Sequence, residues 1–160
     1  MRFELHLWNC LWLILPLLIW NLLFGPRIKD ERITSDAFSP KWLLLAENIM
    51  RIFVFMLPLL IPLKPASVVE KFGLWVYIIG TLIYFASWVP LLLTPHSNWC
   101  NSAAGLLAPR LTPFLPFLGI ALIGENITYA ATALVFIGLH TWHGVQNYKK
   151  FTVVGNQSTN

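Results

Sequence analysis

Residues 72–93 read FGLWVYIIGTLIYFASWVPLLL, a run without a charged side chain that ends before Thr94 and Pro95. A helix needs about 20 apolar residues to cross a hydrocarbon core about 30 Å thick, because each residue adds about 1.5 Å. We therefore predict a membrane-spanning helix here. Other apolar stretches resemble it, and together they predict an all-α, polytopic integral membrane bundle of about five transmembrane helices. The predicted helices cover residues 5–24, 42–63, 72–93, 106–124 and 127–148.

The composition of the whole chain supports a membrane protein. Of its 160 residues, 57% are hydrophobic and 11% are charged, with a mean hydropathy of +0.66. Soluble domains carry about 25% charged residues, which help to form their polar surface. A chain with as few charged residues as this one cannot form such a surface. This excludes a soluble enzyme domain, a disordered chain and a nucleic-acid-binding module. The net charge is +4, and the lysines and arginines that produce it lie mostly between the apolar runs. At these positions basic side chains meet lipid head groups, so membrane lipids rather than nucleic acid are the predicted partners.

The fourth apolar stretch is short and rich in proline, and it carries Arg110. Thr112 followed by Pro113 is typical of an N-cap with proline at the first helical position. A helix that began there would leave only about 12 residues, too few to span. Residues 102–112 would then form an interfacial or re-entrant segment, which needs protein around it inside a membrane. Spanning and re-entrant arrangements both stay open.

Basic residues between the stretches predict the orientation. One side of the bundle carries Arg27, Lys29, Arg32, Lys41, Lys149 and Lys150, with Arg110 near the interface. The other side carries Arg2, Lys64 and Lys71. The more basic side is expected to be cytoplasmic. We therefore predict a plasma (inner) membrane protein with its N-terminus outside and its C-terminus, with a polar tail over 151–160, inside. The C-terminus would lie outside if the fourth stretch did not span.

Ionisable side chains within the apolar stretches mark a candidate site. Glu47, Asn48 and Arg51 lie in the second stretch, and Glu47 and Arg51 share a helix face because they are four residues apart. His140 and His143 lie on one face of the fifth stretch. An ionisable residue in a spanning helix is costly and by default faces the bundle interior at a functional site.

All these groups, with polar residues of the other stretches, share one depth under the predicted orientation. We therefore predict a buried polar pocket in the cytoplasmic half of the bundle, near Asn21. Its predicted members are Glu47, Asn48, Arg51, Tyr84, Ser87, Arg110, His140 and His143. The Glu47–Arg51 pair could equally serve only to fix helix packing, since polar contacts between membrane helices are stabilising by themselves.

The third stretch has a face of small residues. Gly73, Gly80 and Ser87 recur at seven-residue spacing, which lets two membrane helices pack closely. Tryptophans near the ends of the stretches, among them Trp75 and Trp88, are expected to lie at membrane interfaces and need no ligand.

Local motifs for metal, nucleotide or nucleophilic chemistry are missing from the sequence. His140 and His143 would need a third ligand to hold a metal ion, and His96 is the nearest candidate in the chain. We predict no metal site, and the sequence leaves any cofactor unknown.

Three function classes stay open. Short loops and the missing catalytic motifs favour a small binding or accessory membrane subunit with an apolar or lipid-like ligand. The alternative is a lipid-modifying enzyme, in which Arg51 and Arg110 hold an anionic head group and Glu47, His140 or His143 transfers protons. The third class is a transporter or channel subunit. It would assemble as a homo-oligomer or join a larger membrane complex, because five helices enclose little room.

Overall fold

A computed structural model describes residues 8–28, 39–63, 66–95 and 97–157. Within these ranges the chain is helical and has no β-strand, which confirms the predicted all-α class. The helices are α1 (Leu11–Phe24), α2 (Lys41–Met56), α3 (Val68–Leu93), α4 (Asn98–Asn101), α5 (Ala103–Leu111), α6 (Phe114–Ile123) and α7 (Ile127–Gln157). Short 3-10 turns over Gly25–Arg27 and Leu57–Leu60 follow α1 and α2.

Three helical segments are long and apolar enough to cross a membrane. They are Lys41–Leu60, Val68–Leu93 and Ala103–Ile123, and they overlap the second, third and fourth predicted helices. Leu11–Arg27 is apolar but shorter. The first predicted helix begins within residues 1–7, which lie outside the described residues.

In the fourth segment, the helices begin at residues other than the one predicted from the prolines. α5 begins at Ala103, where the Ser102 hydroxyl accepts a hydrogen bond from the Gly105 backbone N–H at 3.1 Å. The Thr112 hydroxyl does not cap α6; it donates to the Ala108 carbonyl at 2.8 Å. The predicted N-cap at Thr112 was wrong because Thr112 keeps a helical backbone at the end of α5 and its hydroxyl bonds back to Ala108, whereas α6 begins at Phe114.

Successive long helices run in alternating directions between two ends of the bundle. At the first end, the Cys10 backbone N–H donates to the Ile61 carbonyl at 2.8 Å, which joins the start of α1 to the end of the second segment. There too, the Ser67 hydroxyl before α3 donates to Glu125 in the α6–α7 turn at 3.1 Å. We call this the turn end.

The opposite end, which we call the loop end, contains the close of α1, the start of α2 and the C-terminal part of α7. The Ser39 hydroxyl before α2 donates to the Asn147 side chain of α7 at 3.0 Å. α7 continues to Gln157, past the predicted end at residue 148. The helix therefore includes residues 151–157 of the predicted tail, a segment without a proline to interrupt its hydrogen bonds.

α3 and α6 pack closely through glycine. A Cβ added at Gly80 would lie 2.6 Å from the Leu115 Cβ, and one at Gly73 would meet the α6 backbone. The seven-residue spacing therefore marks a close helix contact, as predicted. Ser87 extends this seam, because its Oγ lies 3.1 Å from the Thr112 Oγ1.

Candidate functional site

The Glu47 carboxylate joins α2 to α7. Its side chain is only 2% exposed. Its Oε1 lies 2.9 Å from His140 Nδ1, and its Oε2 lies 2.7 Å from His143 Nδ1. Arg51, one turn further along α2, donates to the same Oε1. These contacts compensate a negative charge that would be costly to bury alone.

The contacts of Glu47 also determine which nitrogen of each imidazole carries hydrogen. An ionised carboxylate only accepts hydrogen bonds, so His140 and His143 each donate through Nδ1–H. In a neutral ring, the lone pair then lies on Nε2. A carboxylate that holds Nδ1–H orients the imidazole in this way in many catalytic and metal sites.

Helix geometry brings these groups together. Glu47 and Arg51 are four residues apart on α2, and His140 and His143 are three apart on α7, so each pair shares a face. Phe136, one turn before His140, stacks on its ring with centroids 5.4 Å apart and planes 13° from parallel. The His140 ring is therefore held by Glu47 at one edge and by Phe136 at its face.

A cavity of about 360 Å³ lies beside this cluster, between α1, α2, α3, α5, α6 and α7. Most of its wall is apolar and includes Leu17, Phe55 and Phe117. The polar residues that line it are Asn21, Arg51, Tyr84, Arg110 and His140. The cavity thus has a polar region and a larger apolar region, as a site for an amphipathic molecule requires.

Arg110 reaches the cavity from the end of α5. Its side chain is buried, and its Nη1 donates to the His140 carbonyl at 3.3 Å. The aliphatic stem lies over Gly144 of α7, where an added Cβ would come within 2.5 Å of the Arg110 Cδ. Gly144 therefore makes room for this guanidinium between the two helices.

Tyr84 and Asn21 join α3 to α1 on another wall of the cavity. The Tyr84 hydroxyl donates to Asn21 Oδ1 at 2.9 Å, and Asn21 Nδ2 donates to the Leu17 carbonyl at 2.7 Å. Ser87 donates to the Tyr84 carbonyl at 2.6 Å and lies in the α3–α6 seam.

The eight predicted residues occupy different positions around the cavity. Those that line it are Arg51, Tyr84, Arg110 and His140. Glu47 and His143 lie behind His140 in the carboxylate cluster. Asn48 is exposed and accepts a hydrogen bond from Arg51 at 3.1 Å, and Ser87 belongs to the helix seam.

Trp88 is a lining residue that the sequence analysis missed. It was expected at a membrane interface, but it is 8% exposed and lines the cavity. Its indole Nε1 is buried, and the ring packs edge-on against Tyr84 with centroids 6.0 Å apart. The available signal was its position one turn after Tyr84 on the same helix face.

Metal binding has no support within the described residues, where no group of three or more His, Cys, Asp and Glu side chains is arranged to hold an ion. His96, the third ligand considered from the sequence, lies outside the residues that the structure describes.

No family model matches the chain, and neither the curated proteins nor the solved structures contain a match. The chemistry of the site is therefore the basis for a function.

Proposed function

We propose that this is an integral plasma (inner) membrane protein whose five long helical segments all cross the bilayer, the fourth included. Three segments long and apolar enough to span support this arrangement, as does the alternation of helix direction. Arg27, Lys41 and Lys149 cluster at the loop end. That end is therefore cytoplasmic, with the N-terminus outside and the C-terminus inside.

We propose that the protein is a binding or accessory subunit that takes an amphipathic molecule from the membrane into the cavity. The observation that carries this proposal is a cavity of about 360 Å³ with apolar walls and a few polar groups. Ligand sites of about 300–1,000 Å³ have this composition. Buried ionisable residues in spanning helices are retained mainly for function.

Binding of three ten-carbon amphiphiles tests the proposal: decanoic acid, decyl phosphate and 1-decanol. The full-length protein in phosphatidylcholine nanodiscs should bind at least one of them above empty nanodiscs. Leu18→Trp, which fills the cavity from α1, should abolish that binding. Leu82→Trp, on the exposed face of α3, should not change it. Failure of all three amphiphiles to bind would contradict the proposal.

A lipid-modifying enzyme is the second candidate. The observation in its favour is that His140 both lines the cavity and is held through Nδ1 by Glu47. A ring held in this way can take a proton at Nε2 from a hydroxyl or water. Mass spectrometry of lipids from cells that express wild-type protein or His140→Gln separates the candidates. A lipid product made only by the wild type favours the enzyme, and identical lipids favour the binding role.

A further inference from the structure

We infer that the cavity opens sideways into the hydrocarbon of the bilayer, between α1 and α2, and takes its ligand from the leaflet at the loop end. This inference rests on the proposed function and adds the route and the source of the ligand. It follows from the exposure of the lining residues, from the contacts of α2 and from the depth of the opening.

Two polar lining residues reach the outer surface of the bundle. Asn21 of α1 is exposed, and the Arg51 side chain of α2 is 42% exposed. Leu18 and Phe55, one turn away on the same two helices, also line the cavity and are half-buried. We call these four residues the mouth. Their exposure places an opening of the cavity between α1 and α2.

The side of α2 that faces α7 is closed. Glu47 is buried, and its carboxylate oxygens lie 2.9 Å from His140 Nδ1 and 2.7 Å from His143 Nδ1. At the turn end, the Leu63 backbone N–H donates to the Trp8 carbonyl at 3.0 Å, which joins the chain after α2 to the chain before α1. The mouth therefore lies on the α1 side of α2, nearer the loop end than this junction.

Buried lining residues separate the cavity from the two ends of the bundle. Ile28, Leu91 and Leu106 lie towards the loop end, and all three are buried. Phe117 and Phe136 lie towards the turn end and are buried as well. Within the part of the chain that the structure describes, the lining is thus closed towards both ends and exposed at the mouth.

The mouth lies at the depth of the hydrocarbon. Asn21 is six residues before Arg27, and Arg51 is ten residues after Lys41. At about 1.5 Å per residue, the mouth is about 9 to 15 Å below the basic residues of the loop end. The hydrocarbon core is about 30 Å thick, so the mouth faces the leaflet on the loop side. A ligand that enters there comes from that leaflet and not from water.

The polar residues of the mouth favour the passage of a head group. Polar side chains at membrane depth are costly and are retained mainly for function. Asn21 accepts a hydrogen bond from the Tyr84 hydroxyl at 2.9 Å, and Arg51 donates to Glu47 and Asn48. These bonds hold both side chains at the opening. A head group that passes between them can form hydrogen bonds where a purely apolar gap would offer none.

The volume of the cavity sets the size of the probes. About 360 Å³ holds about 12 non-hydrogen atoms, if each takes the roughly 30 Å³ of a water molecule. A single ten-carbon chain with a small head group therefore fills the cavity, and the mouth has to pass one chain.

Rapid-mixing photolabelling tests the route on the full-length protein in phosphatidylcholine nanodiscs. The probes are decanoic acid, decyl phosphate and 1-decanol, each with a diazirine in the chain, and the one that binds most tightly is used. Nanodiscs with protein are mixed with nanodiscs that hold the probe and are irradiated at successive times. The rise of adducts on Leu17 and Phe117 gives the rate of entry, and titration of the probe gives its affinity.

Asn21→Trp adds a bulky ring at the mouth. Asn21→Leu is the matched control, because it removes the same hydrogen bond to Tyr84 without the added bulk. We expect the probe to enter Asn21→Trp about tenfold more slowly than Asn21→Leu, with affinities within about threefold of each other, because an obstructed mouth slows entry and exit alike. Leu23→Trp adds the same ring to an exposed position on the far side of α1 and should behave like the wild type.

Equal rates of entry into Asn21→Trp and Asn21→Leu would overturn the route and leave the proposed function standing. An affinity that falls by the same factor as the rate of entry would also overturn it, since exit would then be unchanged. If Asn21→Trp does not fold, Arg51→Ala and Arg51→Met decide. Both remove the charge, but only alanine widens the mouth, so equal rates in these two variants overturn the route. No adducts inside the cavity with any of the three probes refutes the proposed function itself.

Discussion

Replacing Glu47 with alanine should strongly weaken the contact between α2 and α7. The carboxylate is 2% exposed and accepts hydrogen bonds from His140 and His143 at 2.9 and 2.7 Å. Removing one partner from a buried charged pair costs about 3 to 5 kcal/mol. Arg51 adds little to this figure, because its side chain is 42% exposed.

Thermal unfolding in detergent measures this loss through the native cysteines. Cys10 and Cys100 are free and buried, so a thiol-reactive dye becomes fluorescent as the bundle opens. A loss of about 3 to 5 kcal/mol corresponds to a Tm lower by about 6 to 20 °C for a chain of this size. The Glu47→Gln variant keeps one acceptor oxygen, so its Tm should lie between the Tm of Glu47→Ala and that of the wild type.

Asn48→Ala is the matched control, because Asn48 is the next residue on α2 and is exposed. The free energy of unfolding of the Asn48→Ala variant should differ from that of the wild type by about 0.5 kcal/mol or less. A Glu47→Ala variant that melts within about 2 °C of this control would refute the reasoning, since the carboxylate would then contribute no more than a surface contact.

Three further predictions concern the helix seam, a helix cap and the topology. Gly80→Ala should lower the free energy of unfolding by about 1 to 3 kcal/mol, because its Cβ would clash with α6. Gly138→Ala, with open space around it, should be neutral or stabilising, and equal effects in the thermal assay would contradict the packing argument. Ser67→Ala should cost about 0.5 to 2 kcal/mol by removing the N-cap of α3; an unchanged Tm would show that the cap contributes nothing. A cysteine at Glu125 should react with a membrane-impermeant maleimide in intact cells, and one at Lys149 only after permeabilisation, whereas the reverse pattern would invert the proposed orientation.

The positions of the apolar helices could be predicted because hydrophobic length is a local property of the chain. Their ends were predicted less well, since they depend on competing hydrogen bonds. Ser102 caps α5, whereas the Thr112 hydroxyl bonds back to Ala108. These alternatives look alike in the sequence, where each is a small hydroxyl residue in a plausible capping position.

The site was only partly predictable for a different reason. Spacing along α2 and α7 predicted which residues share a face, and the structure places Glu47 in contact with both histidines. The place of Trp88 in the cavity wall depends on the rotation of α3, which its glycine contacts with α6 determine. Such rotations arise from packing between distant segments, so spacing within one helix does not reveal them.

Photolabelling tests the central claim most directly. A decanoic acid analogue with a diazirine in its chain is bound to the protein in nanodiscs and irradiated, and the modified residues are identified by mass spectrometry. We predict adducts on the apolar cavity wall, at Leu17 and Phe117, and their loss in the cavity-filling Leu18→Trp variant. Adducts confined to exposed side chains such as Leu82 and Leu134, unchanged in that variant, would contradict a ligand inside the bundle.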